Sequence, residues 1–584
     1  MPTVTIDGQE FEFEKGTKAL QFLLDGGVEI PHFCYHPALS IPANCRQCLV
    51  RAGTPMFDRA TREPVLDENG VQKINFFPKL MPSCSLDLSD GMVIETQYAN
   101  PNVEGAHEDN LELLLINHPL DCPICDQAGQ CPLQIQAYKY GPEGSRFEFE
   151  KVHKPKRIDL GPNVILDAER CINCTRCTRF TEEVSESYQL SIVNRGDKNY
   201  PLPPPGEPFD DPYSMNVADI CPVGALTEKY FRFKARVWEM SSTPSVSDFG
   251  SKGLNVTYWV KDNQVLRVTP RGNADVNEFW LPDAARLRYS TYNENRPAGP
   301  TVTFRDGGRG GVKWAQAVQG AAMLLQQTAP ERIVFLGSAR ASVEDNYLLA
   351  KLAAALGADA PQYLPHVSPG AGDGWLVTDD QAPNTQGVER LGFAPVDETM
   401  LRAQFDAGEV DLLYVLDDDP VAAGLLAEPD LFGVKVILHH THATNATLPY
   451  ATVAFPAPVA PEQLATYVNE DGRAQLLRPA KMTRTFNRAL LMTMGTGQSR
   501  LDRVGTPFDN WVDEKHMVDA KALWELAPYL ASALGAAVQS VSFPDADSSA
   551  VMDDLVAMNP AFAGATHAAM NLQGVALADV GEAV

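Results

Sequence analysis

Eleven cysteines carry the chemistry available to this 584-residue chain, and all of them fall between Cys34 and Cys221. An odd number cannot form a complete disulfide framework, and cysteines used only as small hydrophobes would be scattered rather than clustered. Clustered thiols point to metal. The first group is Cys34, Cys45 and Cys48 in one loop, with Cys84 supplied from further along. Three thiolates in a loop and a fourth delivered from a distance suit a [2Fe–2S] cluster. A four-cysteine zinc site competes; the strand-and-helix start before the loop and the long first spacing favour iron. The second group is His118, Cys122, Cys125 and Cys131. One imidazole with three thiolates suits a [4Fe–4S] cluster, and zinc accepts the same donors.

The third group is Cys171, Cys174 and Cys177, each separated by two residues, with Cys221-Pro222 downstream. This is the bacterial [4Fe–4S] ferredoxin spacing. No second run of the same form exists, so Cys221 is the expected fourth ligand. Four, three and four cysteines account for all eleven, and none remains for a thiol nucleophile. His32 and His36 flank Cys34 and are read as non-ligands, because that site already has four thiols. Arg170, Arg176 and Arg179 surround the third run. They could stabilise a reduced cluster, but the plainer expectation is three solvated surface side chains. Three metal centres held apart by protein, each passing one electron, make an electron wire.

The elements that must position these groups are partly visible. Val4 and Ile6 alternate toward Asp7-Gly8, with Phe11 and Phe13 beyond, which predicts a hairpin. Thr17 is placed to N-cap a helix over Ala19–Leu24 that Gly26-Gly27 ends. With Met92, Ile94 and Thr96 as a closing strand, this is a ferredoxin-like β-grasp. Residues 51–83 read as a polar insertion with a turn at Asp67–Gly70. Glu104–Asn117 suits an amphipathic helix stopping before His118-Pro119. Residues 199–213 read as a proline-rich loop.

After about 240 the character changes. Apolar runs at Ile333–Gly337, Leu412–Leu416 and Val434–Leu438 alternate with helical stretches, the clearest from Glu344 to Gly357, which predicts a parallel α/β domain. His439, His440 and His442 follow a strand and read as loop or packing residues. Gly307–Gly311 reads as a flexible loop, and Gly495-Thr-Gly497-Gln-Ser-Arg500 breaks the dinucleotide fingerprint at its last position.

Composition excludes several functions. Lysine and arginine number 48 against 75 acidic residues, a net charge of −27, which disfavours nucleic acid and anionic membrane surfaces. No apolar run reaches the length of a membrane helix, and the first residues lack a signal-peptide pattern, so a soluble intracellular protein is expected. An iron-only hydrogenase or a formate dehydrogenase with the same front end would need further cofactor ligands, and no cysteine follows Cys221.

The order of sites resembles one family. Cys45-Arg-Gln-Cys48-Leu-Val-Arg, Asn117-His-Pro-Leu-Asp-Cys-Pro-Ile-Cys125, Cys171-Ile-Asn-Cys-Thr-Arg-Cys177 and Asp219-Ile-Cys-Pro-Val-Gly-Ala-Leu226 are similar to segments of the large iron–sulfur subunits of respiratory NADH:quinone oxidoreductase, complex I. The resemblance implies [2Fe–2S] on Cys34, Cys45, Cys48 and Cys84. It implies [4Fe–4S] on His118, Cys122, Cys125 and Cys131, and again on Cys171, Cys174, Cys177 and Cys221. It implies single-electron relay from an NADH- and FMN-binding partner toward subunits leading to quinone, within a translocase. The location implied is the cytoplasmic face of the bacterial inner membrane, peripheral and held through the complex. The alternative is a relay subunit of another NAD-linked oxidoreductase, a hydrogenase or formate dehydrogenase.

The implied architecture is multidomain, α+β and α/β. It comprises a β-grasp [2Fe–2S] domain (1–98), a histidine-plus-three-cysteine module (99–140), a four-cysteine ferredoxin-like module (141–239), and a degenerate molybdopterin-oxidoreductase-like α/β domain (240–584). Asp417-Asp-Asp-Pro420, Leu448–Pro456 and Asn469–Arg473 loosely match the recurring segments of that last fold. Some family members carry an extra cluster early in it. The corresponding positions here are Ser247, Gly250, Leu254 and Pro282, so no fourth cluster is expected. With no cysteine in the domain, no molybdenum cofactor is expected either.

Overall fold

The structure, a computed structural model, describes residues 1–58, 61–484, 516–539 and 541–578; the Gly495–Arg500 fragment lies outside them. The chain divides into two compact units, Met1–Val237 and Trp238–Val584.

The first unit begins with strands β1 (Thr3–Ile6) and β2 (Gln9–Glu12), joined through Asp7 and Gly8, both at positive φ. A two-residue loop with both residues in that region matches the right-handed twist of the strands it joins. Helix α1 (Ala19–Asp25) packs Ala19, Leu20 and Leu23 inward. Thr17 is not its cap: the Thr17 hydroxyl donates to the Glu14 carbonyl (2.6 Å), and Lys18 occupies the cap position without a side-chain hydrogen bond. The helix entry is set instead by the Ala19 amide donating to Leu86 (2.8 Å). Gly26 caps the other end and Gly27 follows at φ +76°.

Strands β3 (Leu49–Pro55), β4 (Ile74–Phe76), β5 (Met81–Pro82) and β6 (Met92–Glu95) complete one sheet in the order β2-β1-β6-β3-β4, with β5 on β3. β6 runs parallel to β1, the β-grasp closure. The polar insertion is therefore structural: it adds β4 to the sheet and returns the chain through β5 to Cys84. Helix α2 (Pro101–Leu115) is capped by the Asn100 side chain and ends just before His118.

Helix α3 (Pro132–Tyr140) follows, starting after Cys131. Strands β7 (Ile158–Asp159) and β8 (Val164–Leu166), helix α4 (Arg176–Glu183), the hairpin β9 (Ser191–Val193) and β10 (Tyr200–Leu202), helix α5 (Asn216–Asp219) and strand β11 (Leu226–Glu228) complete the unit. β11, β8 and β7 form a three-stranded antiparallel sheet.

The second unit opens with an antiparallel sheet of Ser241–Val246, Asn255–Lys261 and Gln264–Pro270. Its main sheet has eight strands, and Ile333–Gly337, Leu412–Val415, Lys435–His440 and Val453–Pro456 are neighbours in parallel, as the apolar runs predict. Ser342 caps the helix Val343–Leu356 by accepting from the Asp345 amide, and Gly357 at φ +75° ends it. Gly307–Gly311 is not a free loop: Arg309–Gly311 is a strand paired with Thr301–Thr303. His439 is buried between Tyr414 and Phe455 and hydrogen-bonds the Tyr414 hydroxyl (2.8 Å), so it is a packing residue.

Asp345 sits buried in the first turn of the Val343–Leu356 helix and accepts from the Trp524 amide (2.9 Å). Burial, with Glu344 beside it, pushes its carboxyl up to about 7. The folded state therefore holds this proton more tightly than the unfolded chain. Its contribution is complete below about pH 4 and is lost as pH rises through about 7. Asp345→Asn keeps the acceptor for Trp524. It should leave thermal stability unchanged at pH 4 and raise it at pH 8 by a few kcal/mol, on the order of 1.4 per pK unit. Melting curves of both proteins at the two pH values check this.

Candidate metal centres

The first site is built on the loop between α1 and β3, with Cys84 added after β5. Ala43 and Arg46 adopt positive φ, at 48° and 56°. Left-handed backbone at non-glycine residues costs about 1–2 kcal/mol each, and here it curls the loop between Cys34 and Cys48. Ser83 clamps the return: its amide and hydroxyl both donate to the Cys48 carbonyl (2.9 and 2.8 Å). Cys34, Cys48 and Cys84 are buried. The four thiols fall into two contacting pairs, Cys34 with Cys45 and Cys48 with Cys84. Within each pair the shared hydrogen bond splits the acidities. Cys45 is pulled down to about 5 and Cys48 is lowered, while Cys34 and Cys84 are pushed up. Among the described residues, no three His, Cys, Asp or Glu side chains converge on the position of one metal ion. His32 and His36 are turned to the backbone, at Ile30 O (2.9 Å) and Ala38 N (3.2 Å).

The second site starts where α2 ends. His118 donates its amide to Leu115 (3.1 Å), and burial, reinforced by Arg170 and Lys151, holds its imidazole down at about 4. The ring is neutral at physiological pH, and its buried Nδ1 has no hydrogen-bond partner among the described residues, the state of a nitrogen free to bind metal. Cys122 and Cys125 bracket a 3-10 turn, and Cys131 N-caps α3. Cys125 and Cys131 are buried and Cys122 is exposed. Burial raises the Cys125 thiol and pushes that of Cys131 up to about 11.

The third site lies between β8 and α4. Asn173 and Thr175 at φ 51° and 60° wind Cys171, Cys174 and Cys177 around a small cavity, and Cys221, just after α5, closes it. The Asn173 amide donates to the Cys171 sulfur (3.4 Å). Burial pushes Cys171, Cys174 and Cys221 up to about 11 and Cys177 higher. These thiols feel one another electrostatically across the cavity, an arrangement suited to a larger group held at four corners. Iron entering it must displace the protons.

The sites are joined through the third. The Cys131 thiol donates to the Pro222 carbonyl (3.7 Å), and a Cβ on Gly224 would lie 2.1 Å from the Cys125 sulfur. The loop that supplies Cys221 thus packs directly on two thiols of the second site. On the other side, the Arg179 guanidinium donates to the carbonyls of Cys34 (2.6 Å) and Cys174 (3.3 Å), and Arg176 donates to those of Ile220 (3.0 Å) and Tyr35. The third site thus touches both of the others.

The expectation of solvated arginines is corrected here. Arg170 and Arg179 are buried, and Arg176 is half-buried with its Nε enclosed. Arg170 pairs with Asp121 (2.9 Å) and Asp167 (3.2 Å), between the second and third sites. Sequence reasoning missed this because the acceptors are mostly backbone carbonyls remote in the chain.

In the second unit, Ser247 and Leu254 are fully packed, and a Cβ on Gly250 would meet Thr378 Oγ1 at 2.8 Å. Pro282 caps a short helix at Asp283–Leu287. A separate cleft includes Asp248, Asp417, Asp418, Asp419, Arg288 and Arg340 in its lining.

Fold and cysteine geometry together define an iron–sulfur protein of ferredoxin type, and comparison agrees. Residues 1–99 match a 2Fe-2S iron-sulfur cluster binding domain. Residues 108–146 match the NADH-ubiquinone oxidoreductase-G iron-sulfur binding region, and 161–227 match the ferredoxin-like domain of NADH-quinone oxidoreductase subunit 3. Residues 240–290 match an NADH-ubiquinone oxidoreductase NDSU1/NuoG-like 4Fe-4S domain, although no cysteine stands there.

More particularly, the chain is similar to the G-type iron–sulfur subunits of NADH-quinone oxidoreductase. It is 37% identical to that of Rickettsia bellii over 60% of this chain and 47% of the relative. It is 37% identical to that of Streptomyces coelicolor over 60% of this chain and 39% of the relative. It is also 37% identical to the mitochondrial NADH dehydrogenase [ubiquinone] iron-sulfur protein 1 of Solanum tuberosum, over 61% and 45%. The chain thus spans about half the length or less of these relatives. A crystal structure of an NAD+-reducing [NiFe]-hydrogenase is 27% identical and covers 40% of this chain and 91% of that one; its TM-score of 0.33 carries no argument.

Proposed function

We propose that this chain is an electron-transfer subunit of an NADH:quinone oxidoreductase. The observation that supports this best is three candidate ligand sets in one compact unit, with their ligand loops in contact. Cys34, Cys45, Cys48 and Cys84 hold a [2Fe–2S] cluster. His118, Cys122, Cys125 and Cys131 hold one [4Fe–4S] cluster, and Cys171, Cys174, Cys177 and Cys221 hold another. Such clusters, when bound, take up and release one electron each. The protein's part is to bury them, keep them close and supply compensating charge.

The partners in this reading are the NADH- and FMN-binding subunit on one side and the subunits leading to quinone on the other. Among the described residues no helix is long and apolar enough to cross a membrane. A peripheral place on the cytoplasmic face, held through the complex, follows from this reading.

Residues 1–98, 99–140 and 141–239 form the three cluster-bearing domains, and 240–584 is a degenerate molybdopterin-oxidoreductase-like scaffold. We assign it no fourth cluster and no molybdenum. Its early cluster positions are filled by packed side chains without thiols. Its cleft presents Asp417, Asp418 and Asp419, while Arg288 is already paired with Asp248 (3.0 Å). With Arg340 as the remaining cation against three aspartates, the lining is acidic on balance, which disfavours a phosphate-bearing cofactor.

Metal and acid-labile sulfide analysis of anaerobically purified protein tests this reading. About ten irons per chain, without zinc or molybdenum, is the expected result. About six irons with one zinc would assign zinc to the His118 site. Stoichiometric molybdenum would overturn the scaffold.

A further inference from the structure

The two arginines between the first and third sites carry more than packing. Arg179 is 7% exposed, and its guanidinium donates to the carbonyls of Cys34, Ser40 and Cys174 and to the Thr175 hydroxyl. Arg176 reaches Ile220 on one side and Tyr35 on the other, and it lines the third cavity. Its Nε–H is buried without a hydrogen-bond partner among the described residues. The described residues pair neither guanidinium with a carboxylate. Glu183, the nearby acid on α4, is engaged by the amide (2.7 Å) and hydroxyl (2.5 Å) of Ser40.

A guanidinium does not lose its proton in a protein, and a buried cation without a counter-charge is strongly disfavoured. A cluster bound by four thiolates carries net negative charge and gains one more unit on reduction. The pair therefore has its counter-charge in the two centres it separates. The second site stands apart, with Arg170 already neutralised by Asp121 and Asp167.

We propose that Arg176 and Arg179 are a shared counter-charge and positioning pair for the first and third clusters, stabilising an electron on either one and fixing the spacing between them. Arg176 Nε–H is the donor available to a sulfur of the third cluster, and such hydrogen bonds raise a cluster's potential. The proposal rests on the electron-relay reading above.

The test is an EPR-monitored redox titration, with iron content, of the full chain in its complex carrying R176Q, R179Q, R176K or R179K. The expected result is midpoint potentials that fall for the first and third clusters in both glutamine variants, with the second cluster unmoved. R179K, which keeps the charge, should lie close to wild type at both clusters. R176K should do so at the first cluster and fall partway at the third, for want of the Nε donor. Unchanged potentials in iron-replete glutamine variants, or an equal fall at all three clusters, would overturn the proposal. If the glutamine variants lose iron, the lysine variants decide. Retained iron with the lysine pattern just described supports the proposal, and loss of iron there too reduces the arginines to folding residues and overturns it. A wild-type protein without iron would instead overturn the relay reading itself.

Discussion

Gly224→Ala should empty the second site and weaken the third, costing the protein four to eight of its irons by the cluster stoichiometry of about four each. Gly224 lies three residues beyond Cys221, and the missing side chain is what admits the second site. A Cβ there would stand 2.1 Å from the Cys125 sulfur and 3.1 Å from the Gln127 Cβ. Neither neighbour is the free end of a flexible side chain. Cys125 would be fixed by its metal, and Gln127 belongs to the tight run in which the Ala128 amide donates to Cys125 (3.1 Å). Relief must come from moving Cys125 away or from shifting the Cys221–Ala225 loop. The first costs the second cluster a ligand. The second disturbs Cys221, because the Cys131 thiol and the Arg170 guanidinium rest on the Pro222 and Gly224 carbonyls. Iron analysis and the EPR signals of the purified variant read the outcome. Full iron content with three unaltered signals would mean that the Gly224 contact does not constrain either cluster.

The cysteine groups were legible because each is mostly local: a loop of three thiols, or three thiols after a helix end, announces itself by spacing. The Asp7-Gly8 hairpin and the helix between Ser342 and Gly357 were legible for the same reason, since turn and cap chemistry is written within four residues. The failures share one cause. Thr17 has the right residue type for a cap, but tertiary bonds from Ala19 to Leu86 and from Leu88 to Thr17 fix the helix entry two residues later. Arg176 and Arg179 look like surface charge because the acceptors that bind them to the first site are carbonyls 139 to 145 positions away. The contact between the third and second sites was likewise hidden. It depends on a glycine and a proline carbonyl after Cys221, which carry no signal until the second site is packed on them.

The same limit applies to the largest expected loss of stability, which lies in the second unit. Glu462 is 1% exposed and sits between Arg296 (2.6 Å) and Lys481 (3.3 Å), both also buried. Burial, with Arg296 adding to it, lowers the Lys481 ammonium from its usual range, and Glu462 opposes that. Arg296 also donates to the Thr441 (2.5 Å) and Ala457 (3.2 Å) carbonyls, and Lys481 to that of Tyr292 (2.5 Å). Among the described residues the carboxylate is therefore the one counter-charge facing two cations whose other hydrogen-bond partners are neutral. Glu462→Gln preserves shape and an acceptor for the Val459 amide, but leaves both cations buried without a counter-charge. Breaking a buried pair in this way costs about 3–5 kcal/mol. The urea midpoint of the second unit, followed by hydrogen exchange over residues 453–477 in the full chain, should fall accordingly. Replacing all three residues together, as R296M, E462L and K481M, removes the charges along with their desolvation cost, and should recover most of the loss. A triple variant as unstable as Glu462→Gln would locate the stability in the individual hydrogen bonds to Thr441, Ala457 and Tyr292 rather than in charge balance.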